Sequence, residues 1–236
     1  MKRKMMLKSR ALWLAGLLIF MYWAPINAQE NTAAAGFLGA DMTLEEIITA
    51  VEKRYEHAGF SALFFQESTL KAMEITDSAQ GRLWIKRPGK MRWDYETPEP
   101  QRMITDGIQI WIHRPGDNQV MVGKAPDFFG AGKGGAFLTD IRTARHNFTI
   151  SKEDANLPES LKLKLVPKKK NQDVEYINIL VDRENFEVTQ ILTYNIYGDE
   201  TKIRLTEIRF VDEMDDGLFR FETPEGTDVL TLEGQS

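Results

Sequence analysis

From Gly81 to His113, apolar and polar positions alternate with a period of two. Leu83, Ile85 and Arg87 fall on one face, and Arg82, Trp84 and Lys86 on the other. After an Arg87-Pro88-Gly89-Lys90 turn, Met91, Trp93 and Tyr95 point one way while Arg92, Asp94 and Glu96 point the other. Successive side chains of a strand leave opposite faces, so the pattern predicts antiparallel strands with one greasy face. Asp106-Gly107, between Arg102–Thr105 and Ile108–His113, reads as a two-residue hairpin. Upstream, Phe60–Glu67 places Phe60, Ala62 and Phe64 opposite Leu63 and Phe65, and a second strand follows near Leu70–Thr76. Downstream the alternation returns at Val120–Val122, Phe148–Ile150, Leu161–Val166, Val174–Val181, Val188–Tyr197, Thr201–Phe210 and Leu218–Phe221.

Two stretches depart from the strand pattern. Thr43-Leu44-Glu45-Glu46 is a capping box, and Leu44, Ile47, Ile48, Val51, Tyr55 and Ala58 follow at helical spacing until Gly59. The spacing predicts an amphipathic helix over 43–58. Between Pro126 and Arg145 a glycine-rich patch precedes Phe137, Leu138 and Ile141, which recur at helical spacing. A short helix over about 135–145 is expected there, and so long a break in a meander is usually functional. The sum is a mainly β fold with helices: about ten or eleven antiparallel strands in a strongly curved sheet or open, incomplete barrel, with a helical lid.

The N-terminus changes the picture. Residues 1–10 carry Lys2, Arg3, Lys4, Lys8 and Arg10, an apolar run from Ala11 to Trp23 follows, and Ala28 closes the stretch. This is the layout of a secretory signal over 1–28, expected to be cleaved. The alternative is an uncleaved membrane anchor, for which the run falls short of the roughly 20 residues a span needs. Residues 29–41 read as a flexible lead-in and 42–236 as one domain. Cleavage would remove five basic residues and no acidic one, so the formal charge of −5 would become −10. An acidic chain lacks the basic footprint of a nucleic-acid binder. There is no cysteine, so there are no disulfides and no attachment point for a lipid of its own after signal cleavage.

Catalytic motifs do not appear. His57, His113 and His146 have no metal-ligand spacing, and neither HExxH nor GxSxG occurs. Gly130-Ala131-Gly132-Lys133-Gly134-Gly135 fails as a phosphate loop, because Gly134 stands where Ser or Thr must bind magnesium and Asp127 stands in place of the first glycine. Most carboxylates alternate outward or sit in turns. The reading is a binding protein without metal or cofactor, not an enzyme.

A family resemblance rests on Leu83-Trp84-Ile85-Lys86-Arg87-Pro88-Gly89-Lys90-Met91-Arg92-Trp93, then on Thr105-Asp106-Gly107 and Ile110-Trp111-Ile112. The leading helix, Phe60-x-x-x-Phe64-x-Gln66 and the mid-chain aromatic insertion add to it. So does the closing run from Phe219 and Phe221 through Pro224 and Gly226 to Val229. In order and spacing these pieces resemble the LolA family, periplasmic carriers of outer-membrane lipoproteins. The resemblance implies a monomeric half-barrel whose concave apolar inside is covered by helices. It implies lipoprotein acyl chains as cargo, received from an inner-membrane ABC transporter of LolCDE type and delivered to a LolB-like outer-membrane receptor. It also gives Arg87 a role as latch, bonded to the lid and holding the empty form closed; the alternative is an arginine at a strand end facing water. Met91 stands where the family commonly has phenylalanine.

On this reading Phe60, Phe64, Met91, Trp93, Tyr95 and Met103 line the cavity, with Phe137, Leu138 and Ile141 contributed by the lid. Plain packing is the alternative for each. The rival function is a lipid- or lipoprotein-sensing module of an envelope stress pathway on the same half-barrel. A more distant rival is a small envelope enzyme acting on a hydrophobic substrate.

Overall fold

A computed structural model describes residues 42–126, 138–139, 141–170 and 172–232. The signal over 1–28, the lead-in over 29–41, the Gly130–Gly135 patch and Phe137 lie outside the described residues.

Helix α1 (Leu44–Arg54) starts as its capping box dictates: the Glu46 N–H donates to Thr43 Oγ1 at 3.3 Å, and the Thr43 N–H donates to Glu46 Oε2 at 2.8 Å. It ends at Arg54, with Tyr55 as its C-terminal cap, rather than at residue 58. Then come β1 (Gly59–Leu70), β2 (Ile75–Lys86), β3 (Lys90–Thr97), β4 (Gln101–Thr105), β5 (Gln109–Arg114) and β6 (Gln119–Lys124). Helix α2 (Ile141–Asn147) leads into β7 (Phe148–Glu153), β8 (Ser160–Pro167), β9 (Tyr176–Asp182), β10 (Val188–Tyr194), β11 (Glu200–Val211) and β12 (Asp228–Thr231). The strands form one sheet in the order β12-β6-β5-β4-β3-β2-β1-β11-β10-β9-β8-β7. Its two edges do not pair, so the mainly β, open-barrel expectation is met.

Several expected elements differ. Leu70–Thr76 is not a strand of its own: Leu70 pairs with Ile75, and residues 71–74 are the turn of one long hairpin. The Asp106-Gly107 hairpin is wider than two residues, because Thr105 pairs with Ile110. The Asp106 carboxylate accepts from the N–H groups of Ile108 and Gln109, both at 2.8 Å, and so holds the larger loop. Leu218–Phe221 is not a strand; Asp216–Phe219 is a 3₁₀ turn capped by Asp215, which accepts from the Gly217 N–H at 2.9 Å. The sheet is not antiparallel throughout, since β12 runs parallel to β6.

The core lies on the face the alternation marked. Phe60, Ala62, Phe64, Leu83, Ile85, Met91 and Trp93 are buried there with Ile47, Ile48, Val51 and Tyr55 of α1. The same core continues through Leu161, Leu163, Leu165, Ile177, Ile179, Val181, Ile191, Ile203 and Leu205 of β8–β11.

Candidate functional site: an apolar cavity under two helices

Helical and strand periodicities converge on one spot. Ile48 and Val51 are one turn apart on α1, and Ile141 and Ala144 are one turn apart on α2. Leu163 and Leu165 share a face of β8. With Ile150 of β7 and Ile179 of β9 they enclose about 350 Å³ of unfilled space, partly open to solvent. Every one of the eight lining residues is aliphatic. Such a wall offers no hydrogen bond, so an occupant gains only by burying hydrocarbon. Much of that space is open to solvent, and the enclosed part is far smaller than the roughly 300–1,000 Å³ of ordinary ligand sites.

Arg145 ties the roof together. From α2 its Nε donates to Glu52 Oε1 at 2.6 Å and its NH2 group to Glu52 Oε2 at 3.1 Å. Its NH1 group donates to both oxygens of Glu45, at 2.7 and 2.8 Å. Glu45 and Glu52 both belong to α1, so one planar guanidinium clamps the two roof helices by paired charge-assisted bonds. Glu52 first and Glu45 second push the guanidinium pKa above its already high value. Lys168 Nζ donates to the Arg145 carbonyl at 2.9 Å and fixes the end of α2.

A smaller hollow, about 190 Å³, lies among Tyr55, His57, Gly59, Phe60, Ile85, Arg87, Leu138 and Phe210. Arg87 Nε donates to the His57 carbonyl at 3.0 Å, and a terminal nitrogen of the same guanidinium donates to it as well. Arg87 thus joins the end of β2 to the segment after α1, beside Leu138 of the insertion. Tyr55 Oη accepts from the buried Val188 N–H at 3.0 Å, and burial pushes its phenol pKa up.

The expected lining residues fall into three groups. Phe60, Phe64, Met91, Trp93 and Leu138 are packed into the core, each 3% exposed or less. Tyr95 and Met103 are half-buried against it. Ile141 alone lines the larger cavity. Phe64 stacks edge-on against Trp93 and Tyr95, with ring centroids 4.8 and 4.9 Å apart. Tyr95 Oη donates to Gln66 Oε1 at 3.2 Å. These rings pack against one another within the core. The Trp93 Nε1 is buried with no acceptor among the described residues. Ile48, Val51, Ala144, Ile150, Leu163, Leu165 and Ile179 were not singled out beforehand, although the α1 stripe and the Leu161-x-Leu163-x-Leu165 alternation are plain in the sequence. Among the described residues no three His, Asp or Glu side chains are grouped to hold a metal.

A family model described as outer membrane lipoprotein carrier protein LolA matches residues 56–222. An outer-membrane lipoprotein carrier protein from Alkalilimnicola ehrlichii is 28% identical over 72% of this chain and 77% of its own. One from Chromohalobacter salexigens is 27% identical over 87% of this chain and 90% of its own. Among solved structures, an uncharacterized conserved protein from Thermus thermophilus is similar in fold. It has a TM-score of 0.51 at 14% identity, covering 80% of this chain and 98% of that one.

Proposed function

The chain belongs to the LolA family of outer membrane lipoprotein carrier proteins, and from that premise we propose that it carries lipoproteins by sheltering their acyl chains in the aliphatic cavity under α1 and α2. The observation that carries the reading is the composition of that wall: eight aliphatic side chains and no polar group. A C16 chain left in water costs roughly 12 kcal/mol at about 0.8 kcal/mol per methylene. A lipid-modified protein therefore crosses an aqueous compartment only under cover. The relatives named outer-membrane lipoprotein carrier protein support the periplasm as that compartment. Loading comes from an inner-membrane ABC transporter, and delivery goes to a receptor at the outer membrane. The protein binds and releases its cargo and does no covalent chemistry.

The cavity is smaller than such a cargo requires, so binding moves the roof. Opening subtracts from the free energy of binding, and apparent affinity falls by the fraction of molecules already open. Arg87, bonded to the segment behind α1, acts as a latch that keeps the carrier's grip weak enough for release.

The test is release of a triacylated lipoprotein from transporter-containing vesicles, supplied with ATP, into a soluble complex with this protein. Lipoprotein that stays with the membrane at every carrier concentration would reject the reading. Lipoprotein that becomes soluble in complex with the protein supports it.

A further inference from the structure

Three hairpin turns meet along one rim of the sheet, and the apolar side chains they carry are exposed. The Lys71 N–H at the β1–β2 turn donates to Asp199 Oδ1 of the β10–β11 turn at 2.9 Å. The Ile196 N–H of that turn donates to the Gln172 carbonyl in the β8–β9 connection at 3.3 Å. The turns belong to strands adjacent in the sheet, so the rim is continuous. Leu70, Met73 and Ile75 project from the first turn, and Ile196 and Tyr197 from the second. Met73 is 68% exposed and Tyr197 69%. Lys168, Lys169 and Lys170 are exposed in the third.

These side chains are held outward by design of the backbone. Asn195 Oδ1 accepts from the N–H groups of Tyr197 and Asp199, both at 2.9 Å, and Asn195 Nδ2 donates to Asp199 Oδ2 at 2.9 Å. A well-bonded turn that keeps large apolar groups in water has no internal use for them, and grouped apolar exposure marks an interaction surface.

We propose that this rim is a bilayer contact: the five apolar side chains enter the interfacial layer of a phospholipid membrane while Lys169 and Lys170 face its phosphates. Three features favour lipid over protein. The apolar groups stand on convex tips, which a deformable interface accommodates and a protein surface must be shaped to meet. Tyr197 has the apolar ring and polar end typical of membrane–water boundaries. The rim is also nearly balanced in charge. Lys71, Lys168, Lys169 and Lys170 stand against Glu74, Asp173, Glu175, Asp199 and Glu200, whereas the chain carries a formal −5. An anionic leaflet repels the rest of the molecule and leaves this edge free to approach. The contact involves no cargo, so it stands or falls apart from the carrier reading.

Flotation of the soluble, processed protein with phosphatidylethanolamine–phosphatidylglycerol vesicles, without lipoprotein, tests the proposal. Partitioning is expected, with a drop of about tenfold or more for Met73→Asp/Tyr197→Asp. A smaller drop, confined to phosphatidylglycerol-containing vesicles, is expected for Lys169→Glu/Lys170→Glu. All arms share one N-terminus, and matched thermal midpoints establish folding of the exposed-site variants. Absence of vesicle binding, or equal binding by Met73→Asp/Tyr197→Asp, overturns the proposal. If vesicle binding is absent, a concentration-dependent dimer in sedimentation assigns the rim to a second copy, and a monomer assigns it to another protein.

Discussion

Replacing Arg145 with methionine separates the polar clamp of the roof from its apolar packing. Methionine keeps an unbranched stem of similar reach and removes only the guanidinium. The Arg145 side chain is 31% exposed, Glu52 20% and Glu45 72%. The Glu52 arm, bidentate and sheltered, is worth about 1 kcal/mol, and the Glu45 arm about 0.5 kcal/mol after solvent screening. The total of about 1.5 kcal/mol corresponds to roughly tenfold in the opening equilibrium. Ile141 and Leu138 contribute more to closure, about 1.5–3 kcal/mol each when fully buried. Acyl chains can replace that apolar contact, whereas nothing in hydrocarbon replaces the ion pairs. The clamp is therefore the part of closure that opposes binding. Titration with a fluorescent fatty-acyl probe is expected to show about tenfold tighter binding for Arg145→Met. Moderate sodium chloride should tighten binding to the wild type, by screening the clamp, and leave the variant nearly unchanged. Equal affinity and equal salt response in the two proteins, with urea midpoints showing both folded, would refute the reasoning.

Other predictions follow from single contacts. Tyr55→Phe strands the buried Val188 N–H; a loss of about 1–3 kcal/mol is expected in urea denaturation. Gly81→Ala would set a Cβ 2.0 Å from the Asp94 carbonyl oxygen. Parting β2 from β3 should cost about 3 kcal/mol or more, read as a lowered thermal midpoint. Asp216 accepts from Lys86 Nζ at 2.6 Å and Lys90 Nζ at 2.8 Å, which lowers its pKa from 3.8 to about 2. A depressed folded pKa stabilises above the unfolded value, and that stability is lost as pH falls from about 4 through about 2. Asp216→Asn should flatten this part of the acid-denaturation curve; an unchanged curve would count against the pairing. Arg87→Leu removes both bonds to the His57 carbonyl. It should raise retention of bound lipoprotein in a receptor-transfer assay, and normal transfer would exclude a latch.

The parts of the fold legible in the sequence are those where a local rule and the tertiary environment agree. The Thr43–Glu46 box needs only four consecutive residues to specify both of its bonds. The alternation through Leu83, Ile85, Met91 and Trp93 is legible because one face of those strands is buried and the other is not. Where no face is buried the signal vanishes. All four residues of β12 are exposed, and its place beside β6 is held by backbone bonds such as that from the Asp228 N–H to the Asn118 carbonyl, 3.0 Å. Leu218–Phe221 is too short for its period to distinguish a strand from a 3₁₀ turn, and Asp215 decides for the turn. The cavity was harder still. Large aromatics are the natural choice for a lining, yet the rings of Phe64, Trp93 and Tyr95 pack against one another in the core. Which strands lie beneath both helices depends on long-range pairing that no local pattern encodes.

That division between aromatic and aliphatic halves bears on how a carrier can open without unfolding. The Phe64, Trp93 and Tyr95 group spans β1 and β3 near the middle of the sheet, and edge-to-face ring pairs add about 0.5–1.5 kcal/mol each beyond area burial. The roof, by contrast, rests on β7–β9, toward one edge of the sheet, through branched aliphatic side chains with non-directional contacts. Displacing α2 there costs burial that hydrocarbon restores, whereas displacing the aromatic group would cost geometry that hydrocarbon cannot restore. Rigid packing at the centre and replaceable packing near an edge let cargo enter while the sheet keeps its register, and they leave the Arg145 clamp to set how often the edge stands open.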